Sequence, residues 1–152
     1  MKRVAFGLMA ASAIIIVLAP LMLPLSQRRI PMNHMRTAHW TRQLITAEHQ
    51  YAARLPAIGF TCDMRQLEKA GAIDKVLASG ERSGYRYELA DCSVSLPAHI
   101  FTVSAVPISA GITGEIVFCA NEESVLWYAN SGSSAECLRA RRSWAKADPL
   151  GD

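Results

Sequence analysis

Cys62, Cys92, Cys119 and Cys137 are the side chains with the most chemistry open to them in this sequence of 152 residues. Their separations of 30, 27 and 18 residues narrow that chemistry. A zinc site takes ligands paired roughly two to four residues apart, and these cysteines form no such pair. An even number of cysteines outside any CxxC pair reads instead as a disulfide framework, of the kind that persists outside the cytosol. Four cysteines allow three pairings. Cys119 with Cys137 would tie a strand hairpin to the C-terminal loop. Cys62 with Cys92 would tie the start of a helical region to the end of a strand.

Other residues offer less. Of the four histidines, His39 and His49 lie ten apart on one expected helix, too far to share an ion. Neither they nor His34 and His99 stand beside a cysteine or a paired acid in a catalytic spacing, so all four are expected on amphipathic surface. The segment GITG (residues 111–114) lacks the lysine and the following helix of a phosphate-cradling loop. GxSxG and HExxH do not occur, and Glu122 and Glu123 read as the solvent face of a turn. No catalytic residue, cofactor or metal is expected, and the chain does not read as an enzyme. Trp127 and Tyr128 are adjacent on the last expected strand and must point to opposite faces. Whichever is exposed on an edge strand is the candidate partner contact. Trp40 is assigned to packing and Trp144 to the tail.

Residues 4–25 (VAFGLMAASAIIIVLAPLMLPL) carry no charge. At about 1.5 Å per residue they are long enough as a helix for the roughly 30 Å hydrocarbon core of a bilayer. The run exceeds a signal-peptide core, and no small-x-small cleavage site follows it, so an uncleaved anchor is expected. Lys2 and Arg3 in front and Arg28, Arg29 and Arg36 behind would place the C-terminal side in the cytoplasm by charge count. The cysteines argue for an oxidising compartment and outweigh that count. The expected location is therefore the inner membrane, single pass, with the C-terminal domain periplasmic or extracellular. The net charge of +3 lies partly in the tails, so no nucleic-acid partner is expected.

The rest of the chain falls into helices first and strands second. Apolar residues at Met35, Ala38, Leu44, Ile45, Ala52 and Leu55 predict a helix over 33–55, capped by Asn33 and ended by Pro56. Proline at 20, 24 and 31 should kink or break any helix running through them. Residues 61–79 read as a second helical region in two pieces, broken near Gly71 and stopped by Gly80, with Asp63 and Gln66 in a capping-box pattern. From Gly84 the apolar period becomes two. Strands are predicted over 85–89, 99–106, 115–119 and 124–128, with connections short enough for an antiparallel meander. The fold class is α+β: a membrane helix and an amphipathic helix packed on a meander of about four strands. The expected organisation is a cytoplasmic stub and anchor over 1–25, an α+β domain over 26–138, and a basic, flexible tail over 139–152.

Several segments share a family likeness in order along the chain: LITAEHQYA (44–52), GFTC (59–62) with Leu67, IDKVLASG (73–80), SGYRYEL (83–89), FTVSAVP (101–107), GITGEIVFC (111–119) and SVLWY (124–128) with Cys137. Together they resemble the globular part of type IV pilin-like and type II secretion pseudopilin-like proteins. The resemblance implies an N-terminal helix on an antiparallel sheet, a C-terminal disulfide loop, and assembly or scaffolding in place of catalysis. It also implies pilus or secretion subunits as partners through the N-terminal helix. The N-terminus departs from the family's processing pattern. The only candidate cleavage site is Gly7, and the position of the family's acidic residue falls on Ser12. A missing carboxylate there removes the charge pairing that makes subunit addition selective, which points to a minor or non-polymerising relative. The alternative is a secreted or anchored envelope domain with an enzymatic or ligand-binding role.

If Cys119 and Cys137 pair, Cys119→Ser or Cys137→Ser should cost about 2–5 kcal/mol of stability, the usual loss for a native bridge in a small domain. Thermal melts of the two variants check this, and unchanged melting temperatures in both would overturn the pairing.

Overall fold

A 30-residue helix, α1 (Leu25–Arg54), lies along one face of the sheet. The computed structural model describes residues 25–130 and 132–144. Residues 4–24 of the expected anchor, the candidate processing site Gly7, and the tail beyond Trp144 lie outside the described residues. Among the described residues no helix is long and apolar enough to cross a membrane.

The helix does not begin at Asn33. It runs through Pro31, which sits in its second turn. A proline removes one i→i−4 hydrogen bond, and later turns packed on the sheet outweigh that loss. Asn33 is thus an interior helical residue, and its Nδ2 donates to the Thr113 carbonyl (2.8 Å) instead of capping. The buried face repeats at three- and four-residue steps and carries Ala38, Leu44, Ile45, Ala47 and Tyr51. Leu55, expected on the apolar stripe, lies past the helix end and is exposed.

The same face carries Thr37, Thr41 and Glu48, all fully buried. Thr41 Oγ1 donates to the Thr37 carbonyl (2.8 Å), the local back-bond open to a hydroxyl in a helix. The Thr37 and Tyr87 hydroxyls are buried without a partner in hydrogen-bond geometry. Burial pushes the Tyr87 phenol up to about 12, and the nearby Thr37 hydroxyl opposes that only in part.

Two short helices follow, α2 (Met64–Lys69) and α3 (Lys75–Ala78), separated near Gly71 as the sequence predicts. Asp63 caps α2 by accepting from the Arg65 amide (2.8 Å). The capping box with Gln66 is not made, because Gln66 Oε1 accepts from Tyr51 Oη across to α1 (2.7 Å). Gly80 follows the C-cap Ser79 with a φ of +83°, the left-handed turn that ends a helix.

The sheet is an antiparallel meander of six strands in sequence order: β1 (Glu81–Arg82), β2 (Tyr85–Ala90), β3 (Thr102–Pro107), β4 (Val117–Asn121), β5 (Trp127–Ala129) and β6 (Arg142–Ser143). The four strands expected from alternation are β2 to β5. The two edges, β1 and β6, have two residues each. A two-residue strand shows no alternation to read. A final helix, α4 (Ser134–Ala140), precedes β6 and opens with a capping box between Ser133 and Glu136. Residues 139–144, expected as tail, therefore belong to the fold. Trp144 is buried edge-on to Phe118 (4.9 Å) and Tyr128 (5.6 Å).

The sheet has a core on each face. Tyr85, Tyr87, Val103, Ala105, Phe118 and Ala120 pack with α1. Val117, Cys119, Trp127 and Ala129 point the other way and pack with Cys137 and Leu138 of α4. Gly114 must be glycine, because a Cβ there would collide with the Tyr85 ring.

Glu48 joins α1 to the strap that follows it. Its Oε2 accepts from the Thr61 amide (2.8 Å) and its Oε1 from the Cys62 amide (2.9 Å). Burial raises the carboxyl pKa, and the two amide bonds oppose that rise. Glu48→Ala should cost about 2–6 kcal/mol by stranding two partly buried donors, each worth roughly 1–3 kcal/mol. An acid whose folded pKa is raised stabilises most below its ordinary value of 4.5 and loses that contribution as pH rises through the folded value. The stability of the wild type relative to Glu48→Gln should therefore fall as pH climbs above 4.5, a trend read from thermal melts across that range.

Candidate interaction surface

Both cysteine pairs are bridged: Cys62 with Cys92 and Cys119 with Cys137, with Cα atoms 6.1 and 6.0 Å apart. The first joins the residue before the cap of α2 to the chain just past β2. The second joins β4 to α4, where the sequence suggested a loop. Cys62 has a φ of +50°, an unfavourable backbone state for a residue with a side chain. Three neighbours hold it there: the bridge, the Glu48 carboxylate, and the pairing of Gly59 with Ala98. In that pairing the Phe60 amide donates to the Ala98 carbonyl (3.0 Å) and the Ala98 amide to Ile58 (2.8 Å). A Cβ on Gly59 would run into the Ala98 backbone, and its φ of +77° suits glycine alone.

Two of the histidines, expected on surface, are joints between α1 and loops of the sheet. His34 Nε2 accepts from the Glu115 amide (3.1 Å). Burial lowers its pKa, against the pull of the Glu115 carboxylate, and so favours the neutral ring that can accept. His49 Nε2 lies 2.9 Å from Ser124 Oγ, with its ring edge-on to Phe60 and Phe101. Both positions sit on the helical repeat 34, 38, 41, 45, 49, so the period of the buried face already marked them. His39 meets the Trp40 ring edge-on, that ring carries the Arg82 guanidinium 3.5 Å from its centroid, and Arg82 pairs with Asp74 (2.6 Å). His99 stays exposed, its amide donating to Ser93 Oγ (3.0 Å).

The contact between Ser124 and His49 borders an open groove with Arg42, Ile45 and Thr46. A serine nucleophile needs its histidine oriented by a third polar group, and here phenylalanine rings take that place. Among the described residues no cluster of three or more His, Cys, Asp or Glu could hold a metal ion. Glu122 and Glu123 fall in the turn after β4, where Glu123 lies 3.6 Å from Arg141.

The aromatic pair does point to opposite faces, but neither ring is a free surface. β6 covers the edge of β5, so β5 is an inner strand. Trp127 is buried against the second bridge, with Arg141 over its ring (4.8 Å). Tyr128 is half-buried beside Trp144. Most of the exposed apolar residues gather instead towards the two ends of α1, a helix about 45 Å long. At its C-terminal end are Leu55, Ile58 and the loop with Val94, Leu96 and Ile100. At its N-terminal end are Met32 and the loop with Ile108 and Ile112. Comparison of the chain with protein-family models, with curated proteins and with solved structures finds no match.

Trp127→Ala should lower stability by about 3–5 kcal/mol, the cost of emptying a packed aromatic site. Val94→Ser, at a fully exposed position, should stay within about 0.5 kcal/mol of wild type. Thermal melts of the pair distinguish them, and an unchanged Trp127→Ala melt would return that ring to the list of surface contacts.

Proposed function

We propose that this chain is a membrane-anchored, pilin-like structural or interaction protein of a bacterial cell envelope. It would be a minor or non-polymerising relative of pilus or type II secretion pseudopilus subunits. One observation carries the reading. A single 30-residue helix packs along an antiparallel meander, and its first residue is the last residue of an uncharged run of 22. That is the arrangement a subunit needs when one helix must serve both as anchor and as spine of the domain. Two bridges support an oxidising compartment and so favour the periplasmic or extracellular side of the inner membrane for the domain. Ser12, where the family has an acid, supports anchoring over polymerisation. The partners on this reading are other envelope subunits that meet the N-terminal helix.

A second reading, an envelope domain with a hydrolytic or ligand-binding role, has one observation in its favour: the 2.9 Å contact between Ser124 and His49 beside Arg42. Covalent labelling of Ser124 by a fluorophosphonate would favour it. The exposure of Ser124 and the missing orienting group argue for the first reading.

Mass spectrometry of the membrane-extracted chain, with and without reduction, reads the N-terminus and both bridges together. A mature chain beginning at Leu8 with both bridges would make it a processed subunit. An intact Met1 with both bridges, the expected result, would make it a permanently anchored domain. Recovery from the cytosol with reduced thiols would overturn the proposal.

A further inference from the structure

The end of the domain nearest the uncharged run carries an apolar rim that no described residue covers. Ile112 is 68% exposed, Ile108 46% and Met32 52%. Both isoleucines belong to the connection between β3 and β4, and that loop is held to the rest of the fold. Asn33 Nδ2 donates to the Thr113 carbonyl (2.8 Å), the Glu115 amide to His34 Nε2 (3.1 Å), and the Ile108 amide to the Gly84 carbonyl (3.0 Å). Inside the loop the Gly111 amide donates to the Gly114 carbonyl (2.9 Å). A shallow apolar depression lined by Val106, Pro107 and Ala110 opens beside it. Exposed apolar side chains on a loop pinned at both ends are a built surface.

Position along the chain says what covers this rim. Met32 lies seven residues past Leu25, about 10 Å along the helix axis. The headgroup region outside the hydrocarbon core is about 5–8 Å deep on each side, within reach of a long side chain at that height. Charge points the same way. Arg29 is exposed on this stretch of α1, with Arg28 beside it in sequence, and the flanking Glu115 lies against His34. Arginines beside apolar side chains suit an anionic lipid surface.

We propose that residues 108–113 and Met32 form a second membrane contact, seated in the headgroup region of an anionic bilayer and holding the domain in one orientation over its anchor. The inference rests on the anchored reading above. It assigns Ile112, the most exposed of the three apolar side chains, as a lipid contact and Arg29 as the lipid-phosphate partner.

Full-length protein reconstituted into vesicles of phosphatidylglycerol and phosphatidylcholine, with bromine on the acyl chains, tests it. Ile112→Trp adds a fluorophore at the loop, and Val94→Trp adds one at the far end of the domain. The emission added by Ile112→Trp should be lost on brominated lipid, and that added by Val94→Trp should persist. Persistence of both signals, in protein that floats with the vesicles, would overturn the second contact and leave the anchor standing; a loop covered by a second copy of the chain would give this result. Protein that fails to float would overturn the anchor and the contact together. Equal quenching in phosphatidylcholine alone would overturn the electrostatic part of the assignment.

Discussion

The Glu48 carboxylate is the constraint on which the helical side of this domain depends. A buried charge is tolerated only when hydrogen bonds replace its water, and Glu48 takes two from consecutive amides, Thr61 and Cys62. Those amides belong to the strap that turns the chain from α1 towards α2. With one face of the strap on Glu48 and the other on Ala98, Cys62 is held in a left-handed conformation that places its sulfur against Cys92. The bridge then ties the strap to the end of β2. One acid on one helix thus fixes the strap that leads into α2.

The rest of α1 follows the same design. Most of its polar contacts are with loops: Asn33 and His34 with the β3–β4 connection, Glu48 with the strap, and His49 with the turn before β5, while Tyr51 reaches Gln66 of α2. Apolar burial on β3 and β4 supplies attraction without direction, whereas hydrogen bonds have direction and fix how the helix is rotated and where it sits along the sheet. Among the described residues the opposite face of the sheet has no long helix. There α4 and the second bridge close a smaller core around Trp127. The two-residue strands at both edges leave few unpaired backbone groups for another chain to add to.

This division of labour bears on the proposed role. A domain at the end of a membrane helix transmits position only if the helix cannot rotate against the sheet, and the joints along α1 oppose such rotation. It also leaves the two ends of α1 different in kind. Near the proposed anchor the apolar rim is pinned and flanked by arginine. At the far end the loop with Val94 and Leu96 projects beyond the first bridge, fully exposed at Val94.

Much of the architecture was legible in the sequence, for reasons that belong to short stretches of chain. Period-two alternation marks β2 and β3, a period near four marks the buried face of α1, and Gly71 and Gly80 mark breaks through the φ they permit. The cysteine spacing marks bridges over metal. These signals depend on steric rules acting within a few residues. What only the tertiary structure decided depends on neighbours distant in the chain. Glu48 is an ordinary polar helix residue until Thr61 and Cys62 lie against it. Pro31 is a helix breaker until tertiary packing outweighs its lost hydrogen bond. Arg139 to Trp144 read as a basic tail because six residues show no period, yet Trp144 closes the core against Phe118. Alternation sets Trp127 and Tyr128 on opposite faces, but the burial of Trp127 follows from α4 and β6, which arrive from further along the chain. Local sequence determines which conformations each segment permits; the free energy that selects among them comes from burial and hydrogen bonds that exist only once the segments meet.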